Sequence, residues 1–230
     1  ASITVGDKTA YVEYEVEKAP GSGSVRMEGW TYGGTASNPV PSSDTNGTAN
    51  VTYQYKVQDS NDSTYSDTKP TNAGNYTVKA TFAATNNYNT FSKTANFTIA
   101  KANPTITISS MNGYTYGSTV STPGVTGNSG NGTVTYYYNT TNTNVNGTKW
   151  EDITATTLNA GNYYLYAVVA ATDNYNAATS PTRLFTIGRA NSSCTAPTAR
   201  TGLTYTGNEQ VLVTAGSTSH GGLNHLLVGI

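Results

Sequence analysis

Residues 71–76 read Thr-Asn-Ala-Gly-Asn-Tyr (TNAGNY), and residues 158–163 read LNAGNY, each running straight into an alternating apolar stretch. After the first copy, Tyr76, Val78, Ala80 and Phe82 alternate with Thr77, Lys79 and Thr81. A period of two marks a strand with one face in a core and the other in water. A Tyr just after a corner, with a core residue two positions on, is how an immunoglobulin-like sandwich enters its strand F, the hydroxyl turning back onto the corner's backbone. The spacing therefore predicts that Gly74 permits a tight corner, Tyr76 pins it and Val78 enters the core. Gly161, Tyr163 and Leu165 repeat the arrangement.

Working outward, the two copies stay in register. Gly29-Trp30-Thr31-Tyr32-Gly33 answers to Gly113-Tyr114-Thr115-Tyr116-Gly117, and VTYQY at 51–55 to VTYYY at 134–138. AATNNYN at 83–89 answers to AATDNYN at 170–176, and FTIAKA at 97–102 to FTIGRA at 185–190. The offset grows from 83 or 84 to 87 or 88, so the second copy has gained a few loop residues between Tyr138 and Asn159. A period this long means whole domains rather than solenoid rungs. The expected organisation is repeat one over 20–102 and repeat two over 103–190. YEVEKA at 14–19 matches FTIAKA, so 1–19 reads as the last hairpin of a preceding repeat. TGLTYTG at 201–207 matches the GWTYGG opening, so 191–230 reads as the incomplete start of a third.

Val51, Tyr53, Tyr55 and Val57 also alternate with polar residues, Gly, Asn, Asp and Pro cluster between the runs, and no helical period spans ten residues. The expected fold class is all-β: tandem Ig-like β-sandwich domains in an extended array. The junctions at 100–104 and 188–191 carry no Gly/Ser linker. Short connections of this kind predict a semi-rigid rod.

The T-Y-G opening (Tyr32-Gly33, Tyr116-Gly117), the N-A-G-N-Y corner, the N-Y-N step (87–89, 174–176) and the F-T-I-x-[KR]-A close resemble the YGX-type bacterial Ig-like repeats, often called MBG domains. The resemblance covers about residues 20–190. It implies tandem repeats of a large secreted or wall-attached surface protein, hence an extracellular, cell-surface stalk or adhesin segment. It implies no catalytic residues. After Gly207 no further family landmark follows, and GGLNHLLVGI at 221–230 has no counterpart in the chain.

Composition excludes several classes. With 11% charged residues and a net charge of -1, the chain offers no electrostatic footprint for nucleic acid or an acidic membrane. No window of eighteen apolar residues exists for membrane insertion, and residues 1–25 lack the pattern of an export signal. Eighteen Tyr against four Phe and two Trp suit strands. Cys194 is the only cysteine, so no intrachain disulfide forms. Nine N-x-S/T sequons are what so Asn- and Thr-rich a chain produces by chance, and they assign no compartment.

Chemistry is sparse. The two histidines, His220 and His225, read as solvated tail residues. Asp59, Asp62 and Asp67 open like an oxygen-ligand calcium loop, but Pro70 stands where an acid should close it. An isopeptide bond would need a core-facing Lys, and Lys79 falls on the wet face with Tyr166 in its place in repeat two. No enzyme, cofactor or metal is expected.

The expected function is a structural spacer of a bacterial surface adhesin, its partners being neighbouring repeats. The alternative is a binding module for a host glycan or a host protein such as an immunoglobulin. One departure between the copies favours it. Gln54, Thr77, Lys79, Thr81 and Asn96 on the wet faces of repeat one become Tyr137, Tyr164, Tyr166, Val168 and Leu184 in repeat two. In an Ig-like topology these belong to neighbouring strands, which predicts one exposed, tyrosine-rich binding patch.

Overall fold

The computed structural model describes residues 2–219. His220, His225 and the closing GGLNHLLVGI lie outside the described residues. The fold is all-β, with one 3-10 turn at Asp62–Thr64 and no other helix among those residues. None of them forms a helix long and apolar enough to cross a membrane.

In chain order, β1 (Ser2–Val5) and β2 (Lys8–Tyr11) form an exposed antiparallel hairpin. Repeat one follows with β3 (Ser24–Arg26), β4 (Trp30–Thr31), β5 (Val40–Ser42), β6 (Val51–Val57), β7 (Gly74–Phe82) and β8 (Phe91–Ala100). Repeat two has β9 (Thr107–Ser110), β10 (Tyr114–Thr115), β11 (Gly124–Thr126), β12 (Val134–Asn139), β13 (Thr148–Lys149), β14 (Gly161–Val169), β15 (Ala178–Thr179) and β16 (Arg183–Gly188). The sheets repeat as the sequence does. Repeat one pairs β3 with β5 and orders a second sheet β4-β8-β7-β6, while repeat two pairs β9 with β11 and orders β10-β16-β14-β12-β13, with β15 on β14.

Internal contacts divide the described residues into two units: 2–107 with 125–135 and 167–181, and 108–124 with 136–166 and 182–219. The line between them does not follow the repeats; it crosses β12 and β14. In the first unit, the apolar face of the β4-β8-β7-β6 sheet supplies Tyr55, Val78, Ala80, Phe82, Phe97 and Ile99 to a core closed by Val25 and Met27. Alternation put these residues on one face, and Phe82 stacks on Phe91 at 4.5 Å to seal one end. From repeat two, this unit also holds the buried Ala167, Val169 and Ser180. The Ser180 hydroxyl accepts the Ala167 N–H at 2.9 Å, so a buried polar group is satisfied by the strand it packs on. In the second unit Ile108, Met111, Tyr114, Leu158, Leu165, Tyr166, Phe185 and Ile187 are buried.

Past Ala190, Cys194–Thr195 pairs with Ser217–Thr218, and Thr198–Ala199 with Val213–Thr214. The second of these ladders reproduces the β3–β5 register. Thr198↔Thr214 and Ala199↔Val213 lie 173 positions on from Val25↔Pro41 and Arg26↔Val40. Tyr205 occupies the place of Tyr32 and is 94% exposed.

Candidate functional site

Two places gather the residues that the sequence singled out: the joint between repeats, where the shared letters meet, and the tyrosine-bearing face of repeat two, where the copies differ.

Each corner is closed by its tyrosine. The Tyr76 hydroxyl donates to the Asn72 carbonyl at 3.0 Å, and the Tyr163 hydroxyl to the Asn159 carbonyl at 3.0 Å. The expected reason for Gly74 needs correction: neither Gly74 nor Gly161 has positive φ. A Cβ on Gly74 would instead stand 3.2 Å from the Tyr76 ring, so glycine leaves room for the ring to fold back. The second Asn of the corner reaches across the sheet. Thr98 donates to Asn75 at 2.9 Å and Thr186 to Asn162 at 2.8 Å, which ties the corner to the F-T-I strand. The rings of that strand also meet the corner, Phe97 stacking on Tyr76 at 5.7 Å and Phe185 on Tyr163 at 5.6 Å.

The opening motif is fixed by a close backbone approach. A Cβ on Gly29 would sit 2.4 Å from the Thr98 carbonyl oxygen, and one on Gly113 2.4 Å from that of Thr186. Only glycine lets β4 and β10 run parallel to β8 and β16 at this distance. The chain then turns at Gly33 and Gly117, with φ of 77° and 84°, and Tyr32 and Tyr116 donate their N–H to Ala100 and Gly188 at 2.8 and 2.9 Å.

The Lys-Ala pair that closes the F-T-I stretch lies against the Asn-Tyr-Asn turn of the repeat that follows. Ala19 bridges in parallel to Tyr88, and Ala102 to Tyr175. Ala19 donates to Asn87 at 2.9 Å and accepts from Asn89 at 2.8 Å; Ala102 does the same with Asn174 and Asn176, both at 2.9 Å. FTIAKA is continuous in sequence, although β8 ends at Ala100. The Asn-Tyr-Asn turn at 174–176 also reaches repeat one. Asn174 Oδ1 accepts the Ala73 N–H at 2.8 Å while its Nδ2 donates to Asn72 Oδ1 at 3.2 Å. Tyr175 meets Tyr32 edge-on at 5.5 Å, and Lys101 Nζ donates to the Thr172 carbonyl at 2.6 Å. All these residues belong to the first unit.

On the other face, the five positions do not form one exposed patch. Tyr166 is 3% exposed, stacked on Tyr137 at 5.4 Å, and its hydroxyl accepts the Gly147 N–H at 2.9 Å. The extra residues of repeat two are the cause. Asn139 Nδ2 donates to the carbonyls of Thr143 and Val145, and this folds the 140–147 loop back over the Tyr166 ring. Tyr137 and Tyr164 are half-buried, and Leu184, which pairs with Tyr164 in register, is 53% exposed. Val168 is half-buried and belongs to the other unit, where it pairs with Thr179.

Repeat one covers the same place differently. Lys79 lies over the Tyr65 ring at 4.1 Å, and Lys56 at 5.1 Å. Lys56 also meets Asp62 at 2.7 Å, a hydrogen bond that raises the lysine pKa and lowers the carboxyl's. Asp67 accepts from Gln54 at 3.1 Å, so two of the three acids of this loop, Asp62 and Asp67, are engaged by side chains of β6. Among the described residues no three His, Cys, Asp or Glu are placed to hold a metal. Cys194 is exposed.

No protein-family model matches this chain, and a search of curated proteins finds no match.

Proposed function

We propose that the chain is a run of tandem immunoglobulin-like β-sandwich repeats of the YGX (MBG) type, serving as a spacer segment of a secreted or wall-attached bacterial surface adhesin. The observation that carries this reading is the repeated clamp, in which Ala19 and Ala102 are gripped by the Asn-Tyr-Asn turns at 87–89 and 174–176 with the same pair of backbone hydrogen bonds. The Asn and Tyr of each corner, the Gly and Tyr-Gly of each opening and the Asn-Tyr-Asn turns are used to close corners, pair strands or join repeats. That is the pattern expected where selection acts on the frame and its joints rather than on a pocket.

A second reading keeps a foothold on the Leu184–Tyr164 pair, an exposed leucine beside a half-buried tyrosine. A host glycan or host protein would use such a surface through ring stacking and apolar contact. The two readings separate in one experiment: the whole chain is passed over a panel of glycans and serum proteins, immunoglobulins included. A spacer shows no saturable binding at micromolar concentration. Saturable binding lost on Tyr164→Thr together with Leu184→Asn, the repeat-one residues, would overturn the spacer reading in favour of the module.

A further inference from the structure

The joint at Ala102 has two parts, and both recur elsewhere in the chain. One part is a turn, Asn174–Tyr175–Asn176, and the other a receiving surface made of the Asn72–Ala73 corner and the Tyr32 ring. The fit is chemical as well as steric. An Asn amide presents one acceptor and one donor from a single carbon, which matches the Ala73 N–H and the Asn72 Oδ1 side by side. An Asp at position 174 would keep the acceptor and set a second carboxylate oxygen against Asn72 Oδ1.

Repeat two carries the receiving surface again. Its corner closes with the same geometry, Tyr163 to Asn159 at 3.0 Å, and Tyr116 is set by the same turn as Tyr32. What differs is occupancy. Ala73 is half-buried and Ala160 exposed. Neither the Ala160 N–H nor the Asn159 side chain has a hydrogen-bond partner among the described residues, and Tyr116 has no ring partner there. Exposure follows docking on the other part too, since Asn174 is half-buried while its counterpart Asn87 is exposed.

We propose that the Asn159–Ala160 corner and the Tyr116 ring form a docking site for the Asn-Tyr-Asn turn of a further repeat joined in tandem at Ala190. The proposal rests on the tandem-repeat reading above. The contacts follow from the occupied joint: the Asn side chain takes the Ala160 N–H and donates to Asn159 Oδ1, the Tyr lies edge-on to Tyr116, and Ala190 is gripped as Ala102 is. Two neutral hydrogen bonds and one aromatic edge are too little to hold free chains together, so the occupant has to be tethered. A direct connection through Ala190 supplies the high local concentration.

The test inserts a second copy of residues 103–190 after Ala190 in the whole chain and follows amide hydrogen exchange. In the unmodified chain the Ala73 N–H exchanges slowly and the Ala160 N–H fast. In the extended chain the Ala160 N–H slows by at least about tenfold, as a newly hydrogen-bonded amide should, and Asn174→Asp in the inserted copy restores fast exchange. Unchanged exchange at Ala160 with Ala73 still protected overturns the proposal. So does an Ala160 N–H already as slow as Ala73 in the unmodified chain, a result that stands even if the insertion fails to fold. Saturable binding in the glycan and serum panel would defeat the spacer reading and leave the exchange result standing.

Discussion

Asn174 holds Asn72 from 102 residues away in the chain, its Nδ2 donating to the Asn72 Oδ1 at 3.2 Å while its Oδ1 takes the next backbone N–H, that of Ala73, at 2.8 Å. The Asn72 carbonyl is meanwhile occupied by the Tyr76 hydroxyl. One residue thus closes a corner within its repeat and receives the next. This explains why the corner is spelled with an Asn, where a Ser or Gly would serve the turn alone.

The two repeat glycines that precede β4 and β10 should tolerate no side chain. In Gly29→Ala or Gly113→Ala the new methyl would press on a backbone carbonyl oxygen 2.4 Å away, and backbone in a sheet cannot step aside. A loss of about 1–3 kcal/mol, the usual cost of overpacking, is expected by denaturant unfolding. A loss below a few tenths would show that the strands separate easily.

The same substitution at two tyrosines is expected to have different outcomes, one at the repeat-one corner and one in the core of repeat two. Tyr76→Phe removes a donor from the Asn72 carbonyl and should cost about 0.5–1.5 kcal/mol. The Tyr114 hydroxyl is buried without a partner among the described residues, and burial raises its pKa. Removing it in Tyr114→Phe should leave stability unchanged or raise it by about 1 kcal/mol. A lower melting temperature for Tyr114→Phe than for the parent would contradict this.

Much of this frame was legible in the sequence. Strict alternation over 51–57 and 76–82 identified β6 and β7 and their core faces, because a sheet with one wet face leaves that trace directly. That the Tyr76 and Tyr163 hydroxyls turn back onto the corner backbone was expected from the spacing of a corner and a core residue; that the acceptors are the Asn72 and Asn159 carbonyls was not. Nor was the burial of Tyr166, since it depends on where an inserted loop lands, and a Gly147 N–H has no periodicity to betray it. The bridges that Ala19 and Ala102 make to the following repeat were not legible for a related reason. A two-residue bridge to a turn some 70 positions later leaves no local pattern.

The loop over repeat two gives different expected outcomes for exchanging Tyr164 and Tyr166 to their repeat-one residues. Tyr164→Thr alters a half-buried ring and should shift stability by less than about 1 kcal/mol. Tyr166→Lys puts an ammonium under the 140–147 loop with no Tyr65 to receive it. A loss of about 3 kcal/mol or more is expected by thermal or denaturant melt. Equal stability of the two variants would show that the loop does not cover the ring in solution.

The Lys56–Asp62 contact gives repeat one a pH signature. Asp62 has a folded pKa below the ordinary carboxylate value, mainly through its hydrogen bond with Lys56. Its contribution is therefore complete above the ordinary carboxylate range and is lost as pH falls through the lowered folded value. Lys56, raised mainly by the same bond, contributes fully below the ordinary lysine range and loses that contribution as pH rises through its folded value. Side-chain carboxyl NMR should show Asp62 titrating below a free aspartate, and Lys56→Met should raise its midpoint toward the ordinary one. An ordinary midpoint in the parent would mean that the pair is not formed.

If the repeated letters serve the frame and its joints, the Asn72–Asn174 pair is where that shows most directly. A double-mutant cycle of Asn72→Ala, Asn174→Ala and the combination, read by denaturant unfolding, isolates their interaction from everything else each residue does. The expected coupling is about 0.5–1.5 kcal/mol, with each single change also speeding exchange of the Ala73 N–H. Strictly additive losses, with Ala73 exchange unaltered by Asn174→Ala, would contradict the account.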